Sequence, residues 1–144
     1  MSDRIRVLIL CTGNSARSQM AEGLLRHDGG EGFAVESAGI EPSFVRPEAI
    51  AVMREIGIDI SNHRSKSIDE FAEQPFEWVI TVCDNAKQNC PVAPGASRQI
   101  HWSLTDPAAV VWDVKTRLDA FREVRNELRE RLSKFIATAK ESTS

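Results

Sequence analysis

Short apolar runs alternate with amphipathic stretches along the whole chain. Arg4-Ile5-Arg6-Val7-Leu8-Ile9-Leu10 alternates at first and then becomes continuously apolar, as a strand buried on both faces does. Cys11-Thr12-Gly13-Asn14-Ser15-Ala16-Arg17-Ser18 follows as a loop of small polar residues. Met20, Ala21, Leu24 and Leu25 then recur at helical spacing, and Gly29-Gly30 supplies the stop. Phe33 to Ala38 reads as a second strand ended by Gly39. Pro47 to Ile56 reads as a second helix, with proline in its first turn and Gly57 past its end. Ser67 to Glu73 is predicted as a short third helix, Trp78 to Val82 as a third strand and Arg98 to Trp102 as a fourth. Asp84 to Cys90 is polar, and Pro91 and Pro94 mark irregular chain beyond it. The last element is a long helix whose buried stripe is Val114, Leu118, Phe121, Val124, Leu128, Leu132 and Phe135. Glu127/Arg131 and Glu130/Lys134 add charge pairs one turn apart on its outer side, and Lys140 to Ser144 is expected to fray.

Strands alternating with helices predict an α/β fold, a single domain over residues 1–144 built on a four-stranded parallel sheet. In such sheets ligands bind beyond the carboxyl ends of the strands. Cys11 follows the first strand, Cys83 the third, and Asp106 lies four residues past the fourth. Simple core packing gives no reason for three reactive side chains to share that edge.

Composition narrows the classes. The 144 residues carry 18 basic and 21 acidic side chains, a net charge of −3, so there is no basic footprint for nucleic acid. No apolar run exceeds five residues, far below the roughly 20 that span a membrane. Ser2-Asp3-Arg4 leads into the first strand without a secretory cleavage pattern, so a cytoplasmic protein is expected. The three cysteines, Cys11, Cys83 and Cys90, cannot close a disulfide framework among themselves, and in a reducing compartment no structural bridge is expected. Either they are buried small hydrophobes or they carry chemistry.

The loop behind the first strand favours chemistry for Cys11. A strand enters it, a helix leaves it, and its residues are small enough for successive backbone N–H groups to turn inward as an anion-binding ring. Gly13 and Asn14 tolerate the positive φ this curvature requires. Arg17 offers a planar fork for two oxygens of a tetrahedral oxyanion, and the same positive field favours a thiolate at Cys11. Ser18 is placed to donate a hydrogen bond to that sulfur. The Gly-Lys-Ser nucleotide loop is absent. Cys83, Cys90 and His101 could be considered as zinc ligands, but they contain no CxxC pair and no closed four-ligand spacing.

CTGNSARSQMAEG, from Cys11 to Gly23, resembles the signature of the low-molecular-mass tyrosine phosphatase superfamily, which holds both phosphatases and thioredoxin-coupled arsenate reductases. The resemblance implies a flavodoxin-like winding, with helices flanking the sheet. Thr105-Asp106-Pro107-Ala108 looks like the loop that supplies a general acid, although Asp-Pro is also a common turn. Phosphatases of this kind commonly place tyrosine after Asp-Pro. Ala108 stands there, and the chain has no tyrosine at all, so phosphotyrosine specificity is disfavoured. The segments around Cys83-Asp84, Asn89-Cys90-Pro91, His101-Trp102, Ser37-Ala38-Gly39 and Asp59-Ile60-Ser61-Asn62-His63 are similar to the reductases instead.

This resemblance implies a relay. Cys11 attacks arsenate held by the backbone of Thr12, Gly13, Asn14, Ser15 and Ala16 together with Arg17 and Ser18, and Asp106 protonates the leaving oxygen. Cys83 then attacks Cys11 and arsenite departs. Cys90 attacks Cys83, and thioredoxin reduces the Cys83–Cys90 disulfide. A helical 83–90 segment would hold these two cysteines about 10 Å apart along its axis, whereas a disulfide needs Cα atoms within roughly 7 Å. The segment would therefore have to unwind. The relay needs no flavin, nicotinamide, haem or metal cofactor, and a monomer suffices. The resemblance further implies that Asn14, Glu22, Ser37 and His63 brace the loop. A low-molecular-mass phosphatase, or an oxyanion or redox sensor built on the Cys83/Cys90 pair, is the alternative reading.

Overall fold

A computed structural model of the chain describes residues 4–71, 73–82, 98–110 and 113–142. The four strands are β1 (Ile5–Cys11), β2 (Phe33–Gly39), β3 (Trp78–Thr81) and β4 (Arg98–His101), all parallel, in the order β2-β1-β3-β4. Among the described residues, three α-helices accompany them: α1 (Arg17–Gly29), α2 (Pro47–Arg54) and α3 (Val114–Ser142). The expected four-stranded parallel sheet and α/β class are therefore present. β1 is central and buried along almost its whole length, as its apolar run requires.

The two faces of β1 enter different cores. Val7 and Ile9 pack with Met20, Leu24 and Leu25 of α1, Val52 and Met53 of α2, and Phe121, Leu128, Leu132 and Phe135 of α3. Leu8 and Leu10 point the other way, into a smaller cluster with Ala38, Phe76 and Val79 that Ile68 and Phe71 cover. Among the described residues, all three α-helices thus share one face, and the 68–76 segment covers the other.

Several boundaries differ from the sequence reading. Ser67 to Glu73 does not form a helix of that length: Ser67 makes an isolated bridge to Gly39, and only Ile68–Phe71 winds into a 3-10 turn. The Ser67 hydroxyl accepts from the Asp69 N–H and starts that turn. α3 runs on through Ser142, with Ala139 buried against the core, and the last two residues of the segment expected to fray lie outside the described residues. Val114, assigned to the buried stripe, is 70% exposed in the first turn of α3, while Leu118 is only partly buried. Gly30 and Gly57, the predicted helix stops, both adopt positive φ, which favours glycine there.

Glu55, just past α2, ties that helix to α3. Its carboxylate accepts from Arg122 Nε at 3.0 Å and Nη2 at 2.7 Å, and from Arg125 Nη1 at 2.8 Å. The Arg122 hydrogen bonds, aided by Arg125, hold this carboxyl down to about 2 from its ordinary 4.5. A lowered carboxylate stabilises the folded state above its unfolded value, and that contribution is lost as pH falls from about 4.5 through about 2. Glu55→Gln is expected to lower Tm by about 3 °C at pH 7. It should also flatten the acid limb of stability between pH 4.5 and 2, as read by urea unfolding at each pH.

Candidate active site

The peptide planes of the loop between β1 and α1 are fixed from outside. The carbonyls of Thr12, Gly13 and Ser15 accept from the backbone N–H groups of Glu41, Ser43 and Arg46 at 2.9, 3.3 and 2.9 Å. Ser65 Oγ also donates to the Gly13 carbonyl at 3.0 Å. In a trans peptide the next N–H points opposite to the carbonyl. The N–H groups of Gly13, Asn14 and Ala16 are thereby turned toward the other side of the loop, and the Asn14 N–H lies 3.2 Å from Cys11 Sγ. Asn14 supplies the curvature with φ 48°, whereas Gly13 does not adopt positive φ. The asparagine alone makes the left-handed turn expected of both.

Cys11 is the last residue of β1 rather than the first of the loop, and pairs with Gly39. It is a free thiol, 2% exposed. Ser18 Oγ stands 2.9 Å from its sulfur. Arg17 and Ser18, read from sequence as loop, already belong to the first turn of α1, which the Met20 N–H closes on the Ala16 carbonyl at 2.9 Å. The sulfur thus accepts from the Asn14 N–H and lies within hydrogen-bond distance of the Ser18 hydroxyl, beside the N-terminus of α1.

Arg17 is buried, and its guanidinium donates from Nη1 to the Leu104 carbonyl at 3.0 Å. Its Nη2 lies 3.9 Å from Asp106 Oδ2. Asp106 Oδ1 accepts from the Ala108 N–H at 3.0 Å and caps the 3-10 turn Pro107–Ala109. That bond orients the carboxyl and leaves Oδ2 on the side of Arg17. The structure therefore brings Cys11, Arg17, Ser18 and Asp106 into one neighbourhood. Cys83 and Cys90 lie outside the described residues. His101, weighed above as a zinc ligand, sits with Nδ1 2.7 Å from Thr81 Oγ1. Trp102 packs in the core.

The loop rests on buried polar groups. Asn14, Ser18, Gln19, Glu22 and Ser37 are all buried, joined by the side-chain hydrogen bonds Asn14–Ser18, Asn14–Ser37, Ser37–Glu22 and Gln19–Asn14. His63 Nδ1 meets Gln19 Oε1 at 3.0 Å, and burial lowers the basicity of this imidazole against the opposing pull of Glu22.

Gln19 and Ser65 have no role in the sequence reading, and Gly39 enters it only as the end of the second strand and part of the segment that carries the resemblance. A side chain at Gly39 would place its Cβ 2.5 Å from the Thr12 oxygen and 2.9 Å from the Asn14 nitrogen. Both are backbone atoms of the loop, so they cannot swing aside. Gly39→Ala is expected to displace the loop and lower activity by about 10²-fold while the sheet stays folded, checked by steady-state kinetics beside a far-UV spectrum. A glycine ending a strand next to the loop strand was the available signal.

A family model described as low molecular weight phosphotyrosine protein phosphatase matches residues 6–144. The chain belongs to this family. It is 43% identical over 133 residues to an arsenate reductase of Staphylococcus aureus, covering 92% of this chain and 97% of that protein. A solved structure of an arsenate reductase in the phosphate-binding state superposes with TM-score 0.80 at 38% identity, covering 93% of this chain and 98% of the other. A thioredoxin-dependent arsenate reductase of Corynebacterium glutamicum superposes with TM-score 0.69 at 29% identity, over 96% of this chain and 64% of that one.

Proposed function

We propose that this member of the phosphatase family reduces arsenate to arsenite by a three-cysteine relay, as one domain spanning residues 1–144 and as a cytoplasmic monomer. The oxyanion is held by the loop from Thr12 to Ser18 and the Arg17 fork. The Cys11 sulfur attacks arsenic, and Asp106 gives a proton to the departing oxygen, which leaves as water. Cys83 then attacks the Cys11 sulfur. A sulfur–sulfur bond forms, the sulfur–arsenic bond breaks with its electron pair staying on arsenic, and arsenite departs. Cys90 attacks Cys83, frees Cys11 as a thiolate and leaves the Cys83–Cys90 disulfide for thioredoxin.

The observation that carries this reading is the burial of Cys11. A sulfur 2% exposed at the bottom of an anion loop can meet a small oxyanion but not another protein's dithiol. Oxidation formed there must be handed outward, and two further cysteines give it two steps. Similarity to arsenate reductases along nearly the whole chain supports the same substrate. The phosphatase alternative is weaker, since Ala108 stands where such phosphatases commonly carry tyrosine and the chain has no tyrosine at all.

The test is arsenite production with thioredoxin, thioredoxin reductase and NADPH, beside hydrolysis of p-nitrophenyl phosphate. Many arsenite molecules per chain, dependent on thioredoxin, are expected. Ester hydrolysis with no arsenite formed would leave the phosphatase reading standing alone.

A further inference from the structure

The direction of the hydrogen bonds beneath the loop can be read atom by atom. Asn14 Oδ1 accepts from the Lys66 N–H at 2.8 Å and from Gln19 Nε2 at 2.9 Å, which fixes the orientation of the carboxamide. Its Nδ2 then gives one hydrogen to Ser18 Oγ at 2.7 Å and the other to Ser37 Oγ at 3.0 Å. A hydroxyl that accepts still has one hydrogen to donate. Ser37 gives its hydrogen to Glu22 Oε1 at 2.6 Å, and Ser18 faces Cys11 Sγ at 2.9 Å. Two arms therefore leave Asn14, one ending on a buried carboxylate and the other on the sulfur.

The carboxylate arm needs a counter-charge, because an ionised group in a dry site is costly unless paired. Among the described residues, three titratable groups face Glu22 besides the Ser37 hydroxyl. Lys66 Nζ is 3.2 Å from Oε1, Arg26 Nη2 is 3.2 Å from Oε2, and His63 Nε2 is 3.7 Å from Oε2. Glu36 of β2, the other acid present, shares Lys66 Nζ at 3.2 Å. Arg26 is about half exposed, so solvent screens it. His63 uses its Nδ1 hydrogen on Gln19 Oε1, and its neutral form brings no charge to Glu22. Lys66 is buried, and it is the cation that contacts both Glu22, through its ammonium, and the Asn14 carboxamide from which the two arms leave, through its backbone N–H.

We propose that Lys66 is a positioning residue that sets the direction of this network, so that Ser18 is left donating to Cys11. The inference rests on the reading of Cys11 as the nucleophile. With the ammonium removed, Glu22 can relieve its buried charge by taking up a proton and becoming a donor. The Ser37 hydrogen then turns back toward Asn14, the carboxamide shifts, and Ser18 is no longer held to donate to the sulfur.

The experiment measures Cys11 alkylation by iodoacetamide against pH, on the full chain without arsenate, with the modified peptide quantified by mass spectrometry. Lys66→Met is expected to move the rise in rate to higher pH and to slow alkylation at pH 6 by about tenfold. Lys66→Arg should return most of the wild-type profile. Ser37→Ala leaves the Lys66–Glu22 pair in place but cuts the network, and should shift the profile in the same direction. Profiles unchanged in both Lys66→Met and Ser37→Ala, with only Tm lowered, would overturn the proposal. If Lys66→Met does not fold, Ser37→Ala decides alone: a shifted profile supports the inference and an unshifted one overturns it. Wild-type Cys11 alkylated at pH 6 no faster than in urea would instead defeat the reading of Cys11 as the nucleophile.

Discussion

Cys11→Ser is expected to abolish arsenate reduction and to lower any phosphate-ester hydrolysis by about 10⁴-fold or more. Serine fills the same space, and its hydroxyl can still meet Ser18 and the Asn14 N–H. The fold should therefore hold, with Tm changed by only a few degrees. Two properties of sulfur are lost. A serine hydroxyl is not ionised near neutral pH, so its attack on the oxyanion is slow. An oxygen also cannot form a disulfide, so no electron pair can reach arsenic by this route even if an ester forms. Arsenite measured by a direct assay, beside a melting curve of the same preparation, checks both halves. Residual arsenite formation above background would place the nucleophile elsewhere.

The second large effect belongs to Cys90→Ser. Cys11 and Cys83 remain, so the first arsenate is still reduced and one arsenite per chain is expected. The chain then stops with Cys11 joined to Cys83. Thioredoxin would have to reach a disulfide with one sulfur 2% exposed beneath a loop fixed by the 41–46 segment. A burst of one arsenite per chain, followed by a steady rate about 10²-fold or more below wild type, is the expected trace. Steady turnover equal to wild type would show that Cys90 takes no part.

What could be read from the sequence, and what could not, divides along a physical line. β1, β2, the stripe of α3 and the glycine stops at Gly30 and Gly57 were legible because burial and backbone conformation leave a direct mark on residue type. The chemistry of the loop was legible too, because cysteine, small residues and arginine at that spacing suit an oxyanion. The support beneath the loop was legible only through the resemblance, which implies Asn14, Glu22, Ser37 and His63 but not Gln19. The polar pattern alone gives no sign of it, because Arg17, Ser18, Gln19 and Glu22 lie on a helix that is buried on nearly all sides over its first turns, whereas a polar residue in a helix normally reads as solvent-facing. Lys66 is hidden for the same reason: a lysine in a polar loop reads as surface until its ammonium is seen folded back onto Glu22. Gly39 matters through a neighbour in space, 27 residues away from Thr12 in sequence, and local pattern carries no such information. The helix expected over Ser67 to Glu73 is cut to a 3-10 turn at Ile68–Phe71, with Ser67 bridging Gly39, a partner 28 residues away that local pattern does not reveal.

The central claim is that oxidation starts at Cys11 and ends on Cys83 and Cys90. Its most direct test is disulfide mapping of the reduced protein after one equivalent of arsenate, without thioredoxin, quenched in acid and digested for mass spectrometry. The relay predicts a Cys83–Cys90 disulfide in an amount matching the arsenite formed, with Cys11 recovered as a free thiol. Arsenite formed with Cys11 still in a disulfide, or with all three thiols free, would contradict it.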